Sequence, residues 1–357
     1  MDHELRRNRL GARLPEFELD AVVVTHSPNV RYLTGFTGSN GQVVVGAGGC
    51  VFLTDGRYTE QARHEVPGVE RVTYLDGFAP ALRDAMGSLA VSRLGFEASA
   101  VTYRSWAELG EGLGDVELVP TDGEVERLRW VKDAEELRLL EHAQEATDQA
   151  FEQILDKLAV GMTERRAAFE LELAMRHAGA DGISFETIVA FGENAAEPHH
   201  EPNHRTLEEG DVVKLDFGAL WGGYHADMTR TIAFGGPPAE LKKIHDVVRE
   251  AQQVGIDAVH AGVTGAEVDA ASRKVIEEAG YGERFTHGLG HGVGLEIHEG
   301  PRLMRGGEHV LPAGAVVTLE PGVYVPGLGG VRIEDMVEVT GDGCRAIPTA
   351  TKELIEL

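Results

Sequence analysis

The sequence predicts a mixed α/β protein of two domains, an α/β domain over residues 1–125 and a second domain over residues 126–357. Three observations predict this. Short β-rich runs alternate with helical stretches in the first part. A capped long helix opens the second part. Within the second part a helix-starting motif occurs twice, which predicts two helix–helix–sheet halves.

The first domain is predicted from strand-like runs that are bounded by glycine or separated by helical segments. Its predicted strands are AVVVT (21–25), GQVVVGAG (41–48), GCVFLTDG (49–56), RLGFEA (93–98) and VELVP (116–120). Its predicted helices are TEQARHEV (59–66) and FAPALRDAMGSLAV (78–91). This alternation is typical of an α/β domain with its own core.

The second domain is predicted to open with a long helix that begins after Asp133. Asp133 and Glu136 fit a capping box, in which each side chain accepts a hydrogen bond from the backbone of the other residue. Apolar and small residues follow at helical spacing, namely Leu137, Leu140, Ala143, Thr147, Ala150, Phe151 and Ile154.

A weak internal repeat divides the second domain. Gly161-Met-Thr163 starts a helical stretch that ends at Ala178-Gly179, and Gly262-Val-Thr264 starts another that ends at Ala279-Gly280. The spacing is equal in the two copies. In each copy we expect the threonine to be the N-cap and the glycine to end the helix.

Each half carries one pair of acidic residues on a predicted hairpin. The turns are Trp221-Gly222-Gly223 in the first half and a segment centred on Gly327 in the second. A tight turn makes the acids cross-strand neighbours. The pairs are Asp216 with Asp227, and Glu320 with Glu334.

An acidic pair on a hairpin can simply be solvated surface. Here the flanking runs VVKLD, VVTLE and VRIED are apolar, which predicts buried carboxylates that need a partner or a metal. His291 lies in a glycine-rich segment between the hairpins, where the alternative is a plain turn. Four carboxylates and one imidazole are more than one divalent cation needs, so the set predicts a two-metal hydrolase site.

Composition and motifs exclude several other classes. The net charge of −26 disfavours nucleic acid and anionic membranes as partners. Cys50 and Cys344 form no paired-cysteine motif, which fits a reducing cytoplasm, and the N-terminus lacks a signal-peptide core. No nucleophile elbow, P-loop or dinucleotide fingerprint occurs, which leaves metal-activated water as the nucleophile.

The site motifs closely resemble those of the pita-bread metallopeptidases, in the aminopeptidase P and prolidase branch. These motifs are LDFGAL, YHADMTRT, GLGHGVGLEIHE, TLEPGVY and VRIED. SPNVRYLTGFTGSNG (27–41) and TDGRYTEQA (54–62) resemble phrases of the creatinase-type N-terminal domain. The resemblance covers nearly the whole chain. It implies a creatinase-like N-terminal domain followed by a pseudo-symmetric pita-bread catalytic domain.

The resemblance implies two divalent cations, Mn²⁺ first, with Co²⁺ and Zn²⁺ as alternatives. Asp216 would bind one cation and His291 the other, while Asp227 and Glu334 would bridge the two. Glu320 would be a ligand that also moves a proton. The implied metal ligands are Asp216, Asp227, His291, Glu320 and Glu334.

The resemblance also implies supporting residues and a homodimer. His199 would hold the substrate and the intermediate, His298 would contact the scissile carbonyl or the proline, and Arg332 would support the site. His287 would lie near the site without binding metal. The second histidine of the His199-His200 pair and His204 are interpreted as bystanders.

The implied substrate is the peptide bond before proline, a tertiary amide without an N–H. Aminopeptidase P removes the first residue of longer Xaa-Pro peptides, and we favour this interpretation. The alternative is a prolidase, which cleaves Xaa-Pro dipeptides, because Arg302 stands where some prolidases bind the substrate carboxylate. A surface arginine would be the simpler interpretation of Arg302.

Other pita-bread relatives fit the chain less well. Methionine aminopeptidase lacks a comparable N-terminal domain, and creatinase lacks the full metal set that is present here. A non-catalytic binding module usually loses ligands, whereas this chain retains all five.

Overall fold

The computed structural model describes residues 1–87 and 89–357 and divides the chain into two compact units, Met1–Arg129 and Trp130–Leu357. Each unit is described by itself. None of the described helices combines the length and the apolar character that spanning a bilayer requires.

The first unit is an α/β domain around a mixed six-stranded sheet. Its strands are β1 Ala21–Val24, β2 Gly41–Gly46, β3 Gly49–Asp55, β4 Glu70–Tyr74, β5 Arg93–Glu97 and β6 Glu117–Thr121. Its helices are α1 His3–Arg13, α2 Ser27–Thr34, α3 Thr59–Glu65, α4 Phe78–Gly87, α5 Tyr103–Leu113 and α6 Glu124–Arg129. All five predicted strands and both predicted helices occur, while Ser88, inside the predicted helix 78–91, lies outside the described residues.

Strand β1 occupies the interior of this sheet, whose order is β4-β3-β2-β1-β5-β6. It pairs antiparallel with β2 and parallel with β5. All four of its residues are buried, because a central strand with both faces covered needs apolar side chains on each face. That requirement explains why the run reads AVVV rather than as an alternating pattern.

The second unit contains four described α-helices in two pairs, α7 Ala134–Leu155 with α8 Glu164–His177, and α9 Ala239–Ala258 with α10 Gly265–Glu278. The predicted capping box at the start of α7 is present, because the Asp133 side chain accepts from Glu136 N while Glu136 accepts from Asp133 N. The buried face of α7 includes Leu140, Ala143, Ala150 and Phe151, as the spacing predicted.

The predicted repeat is visible in how the second helix of each pair is capped. Thr163 accepts a hydrogen bond from Arg166 N at the start of α8, and Thr264 accepts from Glu267 N at the start of α10. Gly179 and Gly280 follow the two helices at φ angles of 103° and 88°, which favour glycine. Each half also has its own apolar core.

Short strands in each half of the second unit carry the site residues. The first half contains β7 Gly182–Ile183, β8 Ile188–Phe191, β9 Val212–Phe217, β10 Ala219–Trp221, β11 Tyr224–His225 and β12 Met228–Ala233. The second half contains β13 Gly290–Gly292, β14 Glu299–Leu303, β15 Val316–Leu319, β16 Gly322–Val325, β17 Gly329–Arg332, β18 Asp335–Val339 and β19 Cys344–Ala346. They form sheets ordered β11-β10-β7, β12-β9-β8, β14-β13-β15-β18-β19 and β16-β17.

The threonine caps of α8 and α10 predict a loss of stability when either threonine is replaced. Thr163→Ala and Thr264→Ala should each lower the free energy of unfolding by about 1 kcal/mol, because each leaves a backbone N–H of the first helical turn without its acceptor. The free energy of unfolding should fall further in Thr264→Ala, because the Thr264 hydroxyl also donates to Glu267 Oε2 at 2.7 Å. Urea unfolding measures both, and Thr→Ser at the same positions is the control. Unchanged stability in both alanine variants would contradict the capping role.

Candidate metal centre

The first acidic pair lies on a hairpin whose turn depends on two glycines. Strands β10 and β11 join at Gly222 and Gly223, which have φ angles of 56° and 81°, a conformation typical of a two-residue hairpin turn. Across the neighbouring ladder, Asp216 of β9 pairs with Thr229 of β12. Asp227 stands two residues before Thr229, so the two aspartates are diagonal neighbours on one face.

The second acidic pair lies on a longer antiparallel hairpin with a continuous register. Leu319 pairs with Asp335 and Gly322 pairs with Arg332. Glu320 and Glu334 fall between these two pairs and are therefore directly opposite each other. The turn is centred on Gly327, whose φ is 77°. Both hairpin arrangements are the ones that the sequence predicted.

The two hairpins contribute to a single cavity of about 480 Å³ in the second unit. The five predicted metal ligands all line it, and so do His199, His287, His298, Arg302 and Arg332. The remaining lining is largely apolar, from Phe185, Ile188, Pro198, Ile297 and Met304, with Glu186 and two glycines, Gly288 and Gly290. All predicted site residues therefore meet in one place.

Three of the predicted ligands form the most compact group. One ligand atom each from Asp227, His291 and Glu334 lie within 4.8 Å of one another. His291 Nε2 is also 3.5 Å from Glu320 Oε1 and 3.6 Å from Asp227 Oδ2. Asp216 lines the same cavity but lies outside this trio, so the donors are spread more widely than one cation requires.

Hydrogen bonds behind the donors fix which atoms face the cavity. His291 Nδ1 donates to the carbonyl of Gly292 at 3.0 Å, which leaves Nε2 with its lone pair. Glu334 Oε2 accepts from Thr229 Oγ1 at 2.7 Å. Such outer contacts are what orient ligands in metal sites.

Arg332 orients the fourth donor, Asp216. Its Nη2 donates to Asp216 Oδ2, while its Nε donates to Thr229 Oγ1 at 2.9 Å and its Nη1 to Tyr324 Oη at 2.9 Å. Asp216 Oδ1 is buried and, among the described residues, has no hydrogen-bond partner. A buried carboxylate oxygen without a partner is costly, so this atom is suited to hold a cation.

The buried carboxylates of the cluster repel one another, and bound positive charge would stabilise them. Burial, with repulsion from neighbouring carboxylates, raises the pKa of Asp227 and of Glu320 well above the usual range. Burial and Asp216 raise the pKa of Glu334 to about 8. Burial lowers the pKa of His291 to about 3, so its imidazole is neutral and ready to bind a metal. Hard oxygen donors with one neutral imidazole fit divalent cations.

Three further histidines line the cavity beside the donors. The His298 ring packs edge-on against His291 with centroids 4.4 Å apart, and burial and Arg302 lower the pKa of His298. His287 accepts from Tyr324 Oη at 2.9 Å through Nε2, because its Nδ1 donates to Gly288 O. The third is His199, which is exposed at the cavity.

The two histidines interpreted as bystanders do not line the cavity. His200 is buried and contacts Glu164 Oε2 at 2.9 Å and Glu197 Oε2 at 2.7 Å. His204 contacts Arg165 at the surface.

The sequence interpretation missed Thr229 and Tyr324, which hold Arg332 in place. Both could have been predicted from the alternation of side chains along a strand, in which every second residue faces the same side. Thr229 stands two residues after Asp227, and Tyr324 is a diagonal neighbour of Arg332 across the β16–β17 ladder. Phe185 and Met304 lie outside any motif, and only tertiary packing brings them to the cavity.

Two family descriptions match this chain and together cover most of its length. Residues 138–341 match the description "Metallopeptidase family M24", and residues 6–131 match "Creatinase/Prolidase N-terminal domain". The chain is 36% identical over 341 residues to the Xaa-Pro dipeptidase of Pyrococcus horikoshii, across 94% of this chain and 95% of that protein.

Two solved structures are similar over nearly the full length. The Xaa-Pro dipeptidase from Bacillus anthracis has a TM-score of 0.97 at 42% identity, covering 99% of this chain and 100% of that chain. The X-Pro aminopeptidase from Thermotoga maritima has a TM-score of 0.90 at 35% identity, covering 97% and 100%. These matches confirm the predicted fold class, an α/β protein with a creatinase-like N-terminal domain and a pita-bread catalytic domain.

The raised carboxylate pKa values predict that cation binding depends on pH. In the cation-free protein Glu334, with a pKa of about 8, holds a proton at neutral pH, and that proton must leave before the oxygen binds a metal. Affinity for Mn²⁺ should therefore rise between about pH 6 and about pH 9, with protons released on binding.

Calorimetric titration in two buffers of different ionisation enthalpy measures this release. Glu334→Gln should release fewer protons than the native chain. An affinity that stays flat across the pH range would contradict the predicted protonation.

Arg332→Lys tests the orientation of Asp216. Lysine keeps the charge but lacks the fork that contacts Asp216, Thr229 and Tyr324 together, so divalent-cation affinity should fall by about 10- to 100-fold. The matched control is Arg345→Lys, at an arginine that pairs with Glu141 and Glu338 outside the cavity. Equilibrium dialysis measures the affinity, and equal binding by both variants would refute the orienting role.

Proposed function

Because the chain belongs to metallopeptidase family M24, we propose that it is a metal-dependent Xaa-Pro dipeptidase, which hydrolyses the bond before proline in dipeptides. The sequence favoured an aminopeptidase P that acts on longer peptides. The names of the relatives support the dipeptidase alternative better, because the Pyrococcus horikoshii relative and the Bacillus anthracis structure are both Xaa-Pro dipeptidases.

Arg302 is the observation that carries the proposal. It lines the same cavity as the candidate metal donors and is near enough to His298 to lower the pKa of that imidazole. A dipeptide places a free carboxylate on the proline itself, close to the scissile bond. A guanidinium that shares the cavity can bind that carboxylate through paired hydrogen bonds, which supports a substrate that ends at proline.

The five donors are proposed to hold two divalent cations. Asp216, Asp227, His291, Glu320 and Glu334 would hold the two cations between them. The buried Oδ1 of Asp216 and the free Nε2 of His291 support this arrangement. When bound, the two cations would activate water for attack and polarise the scissile carbonyl.

Glu320 is proposed to move the proton. Burial and the neighbouring Glu334 raise the pKa of its carboxyl, so its carboxylate has a raised affinity for a proton beside the reaction site. The proline nitrogen leaves as a secondary amine and needs a proton to do so. Glu320 is therefore suited to take a proton from water and pass it to that nitrogen.

The side chains around the metal donors are proposed to hold the substrate. His199 and His298 line the cavity and can donate to the scissile carbonyl or to its tetrahedral product. Arg332 would act behind them by fixing Asp216. Phe185 and Ile188 supply apolar surface for the first residue of the substrate or for the proline ring.

A second candidate is the aminopeptidase P activity that the sequence favoured. The similarity to the X-Pro aminopeptidase from Thermotoga maritima supports it, at 35% identity over 97% of this chain. In that case the cavity would remain open beyond the proline, and Arg302 would not meet a substrate carboxylate.

The identity of the metal, the cellular compartment and the oligomeric state are also proposed. The oxygen-rich donor set with one imidazole supports Mn²⁺, with Co²⁺ and Zn²⁺ as alternatives. Cys50 and Cys344 both carry free thiols, which supports a location in the reducing cytoplasm. A homodimer is supported by the family resemblance of the sequence.

Three substrates, Ala-Pro, Ala-Pro-amide and Ala-Pro-Ala, test the proposal. The Mn²⁺-loaded protein should release alanine from Ala-Pro and act poorly on the other two, because only Ala-Pro has a carboxylate on its proline. A chelated sample is the blank. Preference for Ala-Pro-Ala would establish the aminopeptidase candidate instead, and inactivity on all three would reject both.

Arg302→Gln should lower kcat/KM for Ala-Pro by about 10- to 100-fold, the expected loss of a hydrogen bond between charged groups. It should leave the slow cleavage of Ala-Pro-amide unchanged. Arg305→Gln is the matched control, since Arg305 pairs with Glu277 and does not line the cavity. An equal loss on Ala-Pro and Ala-Pro-amide would reject carboxylate binding by Arg302.

A further inference from the structure

His199 lies on an irregular segment that follows the 3₁₀ helix Gly192–Ala196. Its ring is exposed at the cavity and, among the described residues, makes no hydrogen bond. The direction of the imidazole therefore depends on how the backbone is held on either side of His199.

The backbone before His199 is held by Lys214, a lysine with no exposed surface. Its Nζ donates to the carbonyls of Ala195 and Pro198, both at 3.3 Å, and to that of Glu197 at closer range. Burial lowers the pKa of Lys214 to about 6, but the three carbonyl acceptors around Nζ favour the ammonium form, which has one N–H donor for each of them. Within the described part of the chain, no carboxylate lies within 4.0 Å of this ammonium.

Arg332 and a buried glutamate complete the support of this segment. Arg332 Nη1 donates to Pro198 O at 3.1 Å, so the carbonyl immediately before His199 accepts from two cations. After His199, the ring of His200 contacts Glu164 Oε2 at 2.9 Å, and Asn203 N donates to the same oxygen at 3.0 Å. Both neighbours of His199 are therefore fixed to the interior, while its own ring remains free.

We propose that Lys214 is a positioning residue, which sets the direction of His199 by holding the carbonyls of residues 195, 197 and 198. This inference rests on the proposed function, in which His199 holds the substrate. Without the ammonium, the carbonyls of Ala195 and Glu197 lose this donor and Pro198 O keeps only Arg332, and polar groups away from water are expensive to leave unpaired. The segment would then move to find other donors, and His199 would move with it.

The first test measures the segment itself and needs no activity. Lys214→Met keeps most of the length of the side chain but removes its donors, so amide hydrogen exchange in residues 192–203 should become roughly 10-fold faster. Lys157→Met is the matched control, because its ammonium pairs with Glu170 at 2.6 Å and does not line the cavity. Unchanged exchange in residues 192–203 of Lys214→Met would overturn the proposal.

The second test asks whether Lys214 acts through His199. Lys214→Met should lower kcat/KM for Ala-Pro by up to about 100-fold, the cost of misplacing a group at a reaction site. In a His199→Ala background the same substitution should cost almost nothing, because the group it positions is already absent. General structural damage would lower the rate equally in both backgrounds and would overturn the proposal.

Two further measurements separate the alternatives. The Mn²⁺ content of Lys214→Met should equal that of the native protein, and a loss of metal would mean that Lys214 acts through Asp216 instead. If Lys214→Met does not fold, Lys214→Gln should give a partial effect in both tests, since it keeps two N–H donors on a shorter side chain. If the native protein cleaves no Xaa-Pro dipeptide, the proposed function fails, while hydrogen exchange still decides the role of Lys214.

Discussion

The burial of four carboxylates in one cavity is the constraint on which the site depends. Asp216, Asp227 and Glu334 are each less than a tenth exposed, and burial together with their mutual repulsion raises the pKa values of Asp227 and Glu334. Such a cluster is expensive unless positive charge enters it. Arg332 supplies one fixed charge, and divalent cations are the natural source of the rest. The neutral imidazole of His291 fits this requirement, because it adds a donor without adding charge.

The repeated helix–helix–sheet architecture explains how the acids are brought together. Each half presents two carboxylates on antiparallel strands, where ladder register fixes their separation. A rigid hairpin is well suited to this task because backbone hydrogen bonds, rather than long side chains, determine the geometry. Thr229 links the two hairpins, since its hydroxyl donates to Glu334 from the second hairpin and accepts from Arg332. The two halves therefore share one hydrogen-bond network.

Around the donors, several charged side chains hold backbone groups. Lys214 and Arg332 both donate to the carbonyl of Pro198, and Glu164 accepts from the backbone N–H groups of Phe191 and Asn203. Buried charges satisfied by backbone groups give an irregular segment a defined conformation without regular secondary structure. The segment that carries His199 can thus project an otherwise unsupported ring into the cavity. On the proposed function, the dipeptide would meet a preformed site.

The sequence by itself determined five of the six strands of the first unit, the repeat and the acid-bearing hairpins, because these depend on local signals. Period-two and helical spacing, the Asp133 cap and the turn glycines all act within a few residues. Only the tertiary structure decided which oxygen of Asp216 is free, that Tyr324 and Thr229 hold Arg332, and that Lys214 holds the backbone before His199. Those contacts join residues far apart in the chain, and no spacing in one sequence encodes a distance across a cavity. The sequence also left Arg302 undecided between surface and site, since only the fold shows that its segment borders the cavity.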